Sequence, residues 1–177
     1  APEVGVVCAQ ARELCQQVGE TAQLFHVLVG LWLFHLMRQE YRATRELGEQ
    51  LMGLAQSAQD PQFLVSAHRV LGGSLFHLGE LTSARAHLEQ GIALYNPEQH
   101  RLHSFLYGDD PGVAGQFYAA LTLWHLGYPD QALKRSQDAL ILAQELAHPQ
   151  KAFALCTAAH LHQRLRVIRH PCLGGSP

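Results

Sequence analysis

From Thr21 to Met37 the chain is almost wholly apolar, and from Glu40 to Ala58 polar and apolar positions interleave. Leu47, Leu51 and Leu54 are spaced by four and three, which marks one buried stripe on an amphipathic helix. Asp60-Pro61 closes this pair of helices and opens another, since proline suits a first helical turn that needs no amide hydrogen. The second pair runs from Gln62 to Leu78 and from Thr82 to Tyr95, with Gly79-Glu80 as its turn and Asn96-Pro97 as its end. Thr82 is expected to cap the second of these helices through its hydroxyl. A third pair spans Val113 to Leu126 and Asp130 to Leu146 around Gly127-Tyr128-Pro129, and His148-Pro149 ends it. The pattern predicts an all-α chain.

The pairs repeat. Leu33-Phe34-His35-Leu36 lies 42 residues before Leu75-Phe76-His77-Leu78-Gly79, and Leu123-Trp124-His125-Leu126-Gly127 lies 48 after it. Periods of that size belong to helical solenoids, in which stacked hairpins share one core. Residues 1–166 therefore read as a single solenoid domain of about three helix pairs with flanking helices, interrupted by an insertion at 97–112. That insertion holds Leu102, Phe105, Leu106 and Tyr107 between turn formers, so it is expected to pack back on the solenoid.

Residues 1–19 read as the second helix of a pair whose first helix is missing, and the chain lacks an initiating Met, so a fragment is expected. Lys151 to about Arg166 starts a fourth pair with no partner helix. Two prolines and two glycines then mark 167–177 as a disordered tail, read as a truncation or frame-change product.

Aligned on Gly79, the second pair resembles a tetratricopeptide repeat. Leu71-Gly72 take the Leu-Gly positions, Ala84 the small position of the second helix and Leu88 the large one. Small residues are needed where helices cross closely, and large ones fill the gaps between neighbours. The third pair keeps Ala120, Gly127, Ala132 and Ala139 but has Ser136 where a large apolar residue is expected. In the first pair Gly30 takes the crossing position, and Met37 stands where the turn glycine belongs. The phrases around Ala84–Gly91, Tyr107–Ala114 and Leu126–Leu133 further resemble the C-terminal repeat region of bacterial adenylate/guanylate cyclase (or kinase)–signal-transduction ATPase fusion proteins. The likeness covers roughly residues 20 to 165. It implies a right-handed superhelix and a regulatory module whose catalytic domains lie elsewhere in the polypeptide.

Composition adds mainly exclusions. The net charge of −2 and the 16% charged content do not favour nucleic acid as a partner. The run Leu24 to Met37 carries two histidines and is too short to span a bilayer, so no membrane partner is expected. Four scattered cysteines, Cys8, Cys15, Cys156 and Cys172, read as free thiols in a reducing cytoplasm. No Gly-x4-Gly-Lys-Ser/Thr loop or Gly-x-Ser-x-Gly elbow occurs, and Asp109-Asp110 reads as turn chemistry. The twelve histidines include His100/His103 and His160/His162, but no cysteine or carboxylate completes a metal set. No catalytic residue, cofactor or metal is expected.

The candidate site is a helix face. Stepping back from the repeated histidines gives Leu24-Val27-Leu31-His35, Ser66-Arg69-Gly73-His77 and Ala114-Phe117-Leu121-His125. In a tetratricopeptide array this face lines the concave surface, by resemblance. Two readings stand: the histidines cap contacts between helices, or Arg69, Gly73, His77, Phe117, Leu121 and His125 form a groove for a protein or peptide partner. The ATPase or cyclase domains of the same polypeptide are candidate partners. The rivals are a fragment whose activity resides in absent domains, and a spacer without ligand.

Overall fold

Two kinds of helix start and one kind of hairpin turn recur among the described helices. The computed structural model describes residues 21–99 and 110–146, together with Gln163. Six helices are described: α1 (Thr21–Met37), α2 (Tyr41–Ala58), α3 (Pro61–His77), α4 (Leu81–Leu94), α5 (Pro111–His125) and α6 (Pro129–Glu145). No strand occurs among the described residues. Leu102, Phe105, Leu106 and Tyr107 of the insertion, the helices expected over 1–19 and 151–166, the tail expected at 167–177 and all four cysteines lie outside the described residues, Gln163 excepted.

The first helices of the second and third hairpins, α3 and α5, start on an Asp-Pro step. Asp60 accepts from the amide of Gln62 at 2.8 Å, and Asp110 from that of Val113 at 2.9 Å. Each aspartate is followed by a proline at the first helical position, where the missing amide hydrogen costs nothing. Asp110 is thus a fully buried helix cap, which is a structural role, while Asp109 lies outside the described residues. Second helices have no such cap. Glu40, Glu80 and Tyr128 precede them without a side-chain capping bond, and Thr82 lies inside α4, fully on its exposed side, instead of capping it.

The hairpin turns are alike to the atom. The amides of Gly79 and Glu80 bond back to the carbonyls of Phe76 and Leu75, at 3.0 and 2.9 Å. Gly127 and Tyr128 do the same to Trp124 and Leu123, and Gln39 and Glu40 to Leu36 and His35. This is the Schellman closure, which needs a left-handed residue at its corner. Gly79 (φ 81°) and Gly127 (φ 85°) supply it, and in the first hairpin Gln39 does so at φ 60°. The turn position belongs to Gln39, so the expectation that Met37 occupies it is corrected. The first two hairpins are offset by 40 residues, not 42.

Two compact units result, Ala1–Asn96 and Pro97–Pro177. In the first, α1 packs on α2, α2 on α3 and α3 on α4, while α1 also touches α3. Phe25, Leu28, Leu31, Trp32, Leu36, Leu47 and Leu51 form its core with Ala55, Ala67 and Val70. Phe25 and Phe63 stack at 4.3 Å, and the Trp32 indole donates to Ser74 Oγ at 2.8 Å, joining α1 to α3. In the second unit α5 packs on α6, with Val113 against Ala139 and Ala143.

The 40- and 48-residue offsets bring equivalent positions together. Thr44, Ala84 and Ala132 share one position and each is fully buried. Trp32, Gly72 and Ala120 share another, and Gly48, Leu88 and Ser136 a third. In the second hairpin Gly72 faces Leu88, whereas in the first Gly48 lies against Leu71 of α3 and Trp32 against Ser74 and Arg69 of the same helix. A Cβ at Gly72 would lie 2.7 Å from Leu88 Cγ, so only glycine permits this crossing. Gly30, by contrast, is exposed with nothing within 4 Å of a Cβ, so it is not the crossing residue of the first hairpin.

Candidate functional site

A helix turns by about 100° per residue, so a two-residue change of register moves a side chain to the opposite side of its helix. With the offset corrected, His35 shares its position with Leu75 and Leu123, and it is Met37 that matches His77 and His125. The face Leu24-Val27-Leu31-His35 is therefore not the counterpart of the α3 face. Leu31 is buried, and Leu24 and Val27 pack against the core. The matching α1 face is His26-Val29-Leu33-Met37.

That face is open at its turn end. Leu33 is 50% exposed and Met37 70%, while most large apolar residues of the unit are covered. His26 is half-buried, and burial holds its imidazole below the ordinary range against the opposing pull of the Ala22 carbonyl. Sequence reasoning passed over Leu33 and Met37 because the Leu-Phe-His-Leu match drew the wrong alignment. Glu40 and Glu80, each entering a second helix directly after a turn, were the better anchors.

On α3 the predicted residues divide. Arg69 is 5% exposed, with its guanidinium 4.9 Å from the centre of the Trp32 ring, and Gly73 is buried. Arg69 is thus an interior cation held by an aromatic face, and not the solvent-open charge expected from sequence. His77 is partly buried and stacks on Tyr41 at 4.9 Å with the rings 5° from parallel, and burial lowers its pKa. In the second unit Phe117 and Leu121 are partly buried and His125 is exposed.

The turns beside this face carry charge. Glu40 accepts from Arg38 at 2.6 Å and contacts His35 at 2.5 Å, and these two partners, Arg38 first, hold its carboxyl below the usual range. Arg45 bridges Glu49 on its own helix at 2.9 Å and Glu80 of the next turn at 2.7 Å. Such exposed pairs contribute little to stability, but they fix where charge sits around the apolar face.

No group of three or more metal-ligating side chains occurs among the described residues, and none of their helices is long and apolar enough to cross a membrane. No family model and no curated protein matches the chain. Among solved structures, BtubC (BKLC) from P. vanneervenii is similar with a TM-score of 0.66 at 15% identity, over 99% of this chain and 76% of that one. The fold is a tetratricopeptide-like array of helical hairpins. The MamA protein also aligns, over the whole of both chains at 14% identity, but its TM-score of 0.37 is too low to add to that conclusion.

Proposed function

We propose that this chain is a non-catalytic protein-interaction module that captures a peptide segment on the first-helix face of its hairpins. The observation that carries the reading is the pair Leu33 and Met37, two large apolar side chains left 50% and 70% exposed on one helix face. Apolar anchors one turn apart suit a partner helix or an extended peptide with hydrophobic residues at matching intervals. The charged turn beside them supplies both signs for orienting that partner. On α3 the same register runs through Arg69, Gly73 and His77, of which Arg69 and Gly73 are buried and only His77 is partly open. Phe117, Leu121 and His125 hold the same register in the second unit. The resemblance to cyclase–ATPase fusion proteins supports a regulatory role in a cytoplasmic signalling polypeptide, with its own ATPase or cyclase domains as the partner.

A phage-displayed library of random 16-residue peptides, selected on the purified chain, tests this. Selected peptides should bind the native chain and lose at least tenfold in affinity to Met37→Glu, whose side chain is exposed enough to leave folding intact. Met37→Leu should retain binding. Selected peptides that bind Met37→Glu and Leu33→Glu as tightly as the native chain would overturn the assignment.

A further inference from the structure

A second feature lies away from that face, on the contact of α3 with α4. Gly91 brings the two helices close: a Cβ there would lie 3.1 Å from His68 Cβ and 3.5 Å from the Val65 carbonyl oxygen. This approach sets His68 and His87 tip to tip, with their Nδ1 atoms 3.1 Å apart, ring centres 5.3 Å apart and ring planes at 40°. An imidazole nitrogen lies a little over 1 Å from its ring centre, so these distances place the two nitrogens almost on the line between the rings. One ring must then donate an N–H and the other must offer a bare lone pair, so the pair fixes opposite tautomers. His68 is 9% exposed and His87 half-buried.

We propose that the His68–His87 pair is a proton-operated fastener between α3 and α4. The first proton is tolerated. It enters at the free Nε2 of the donor ring, makes that ring an imidazolium and strengthens its Nδ1–H···Nδ1 bond. The second proton has only the accepting Nδ1 to go to, since the other nitrogen of that ring already carries hydrogen. It removes the acceptor, leaves two N–H groups pointed at each other and places two cations side by side in a half-buried contact. The hydrogen bond cannot survive that step, and the helices must part or the rings must swing out.

The charged and titratable groups of α3 and α4, and of α2 which packs on α3, are these. On α4, Arg85 and Glu89 lie two residues either side of His87, on the other side of the helix, and bond to each other at 2.8 Å. On α3 the cation is Arg69, set over Trp32, and His77 lies at the far end against Tyr41. α2, which packs on α3, brings Arg42, Arg45, Glu46 and Glu49, of which Arg45 is engaged by Glu49 and Glu80. Burial, and then the charge of His87, hold His68 below the ordinary histidine range, and burial does the same for His87. Both shifts are downward, so the unfolded chain takes up protons first as pH falls. The stability contributed is complete above about pH 6.5, the unfolded value, and is lost progressively as pH falls toward the lower folded values.

Two measurements on the whole chain test this. Long-range 1H–15N spectra of the imidazoles at pH 8 should show one of the two rings protonated on Nδ1 and the other on Nε2. Amide hydrogen exchange, corrected for the intrinsic pH dependence, should then rise at least tenfold more on α4 than on α6 between pH 7.5 and pH 5. His87→Gln keeps a hydrogen-bonding group that does not titrate, and should bring the α4 rise down to that of α6. Both rings protonated on Nε2 at pH 8, or an α4 rise that persists unchanged in His87→Gln, would overturn the proposal.

Discussion

Replacing Gly72 by alanine adds one methyl group at the point where α3 crosses α4. That methyl would lie 2.7 Å from Leu88 Cγ, 2.9 Å from Leu88 Cδ2 and 3.4 Å from the Ala84 carbonyl oxygen. Carbon atoms rest at about 3.5–4.0 Å, so nearly 1 Å must be found between two helices. Leu88 is 1% exposed and Ala84 fully buried, so neither has solvent to move into. Overpacking of this kind costs roughly 1–3 kcal/mol, whereas alanine in place of glycine inside a helix returns about 1 kcal/mol. Gly53→Ala separates the two effects. Gly53 is exposed inside α2 with nothing within 4 Å of its Cβ, so that variant should show the gain alone. By urea denaturation with unchanged m-values, Gly72→Ala should be about 1–3 kcal/mol less stable than Gly53→Ala. In a Leu88→Ala background, itself about 2–5 kcal/mol less stable, alanine at 72 should no longer carry its penalty. Equal effects at the two glycines, or a penalty that persists without the Leu88 side chain, would refute the account of the crossing.

Gln39→Gly should stabilise the first hairpin by about 1 kcal/mol in the same assay, because glycine meets the left-handed corner without strain. Ser74→Ala should cost roughly 1–3 kcal/mol, since it strips the acceptor from the buried Trp32 indole N–H, and Trp32→Phe in the same chain should recover part of the loss. His26 and His77 are both held below the ordinary histidine value by burial, so each should contribute stability above about pH 6.5 that fades on acidification. Thermal melts of His77→Phe between pH 7.5 and 5 should therefore fall less steeply with acid than those of the native chain.

Helices were legible in the sequence because both of their signals are local. Three-and-four spacing marked Leu47 and Leu51 as buried, and Pro and Gly marked the breaks. Register was not legible in the same way. A shared Leu-Phe-His-Leu tetrapeptide outweighed the hairpin geometry, because nothing about Gln39 announces a left-handed backbone. The tetrapeptide match omits Leu33 and Met37, the most exposed members of the proposed face, and puts the buried Leu31 and the partly buried Leu24 and Val27 there instead. Asp-Pro occurs twice, at 60 and 110, but the glycines on either side of the second suggest a loop, so in the sequence only the first announces a helix. Arg69 was misplaced for another reason: no single-chain pattern shows that an aromatic ring waits on a helix 37 residues upstream.

The contacts of Gly48 and Trp32 have a consequence for protein engineering. Gly48 lies against Leu71, and Trp32 against Ser74 and Arg69, so both residues of the first hairpin serve its junction with the second. The interchangeable part is therefore not the single hairpin. A graft cut at Gln59-Asp60 would keep every helix signal and both turns, yet would separate the Trp32 indole from Ser74 and from the Arg69 guanidinium, and Phe25 from Phe63. Grafts and duplications in this chain should carry α1 to α4 as one piece.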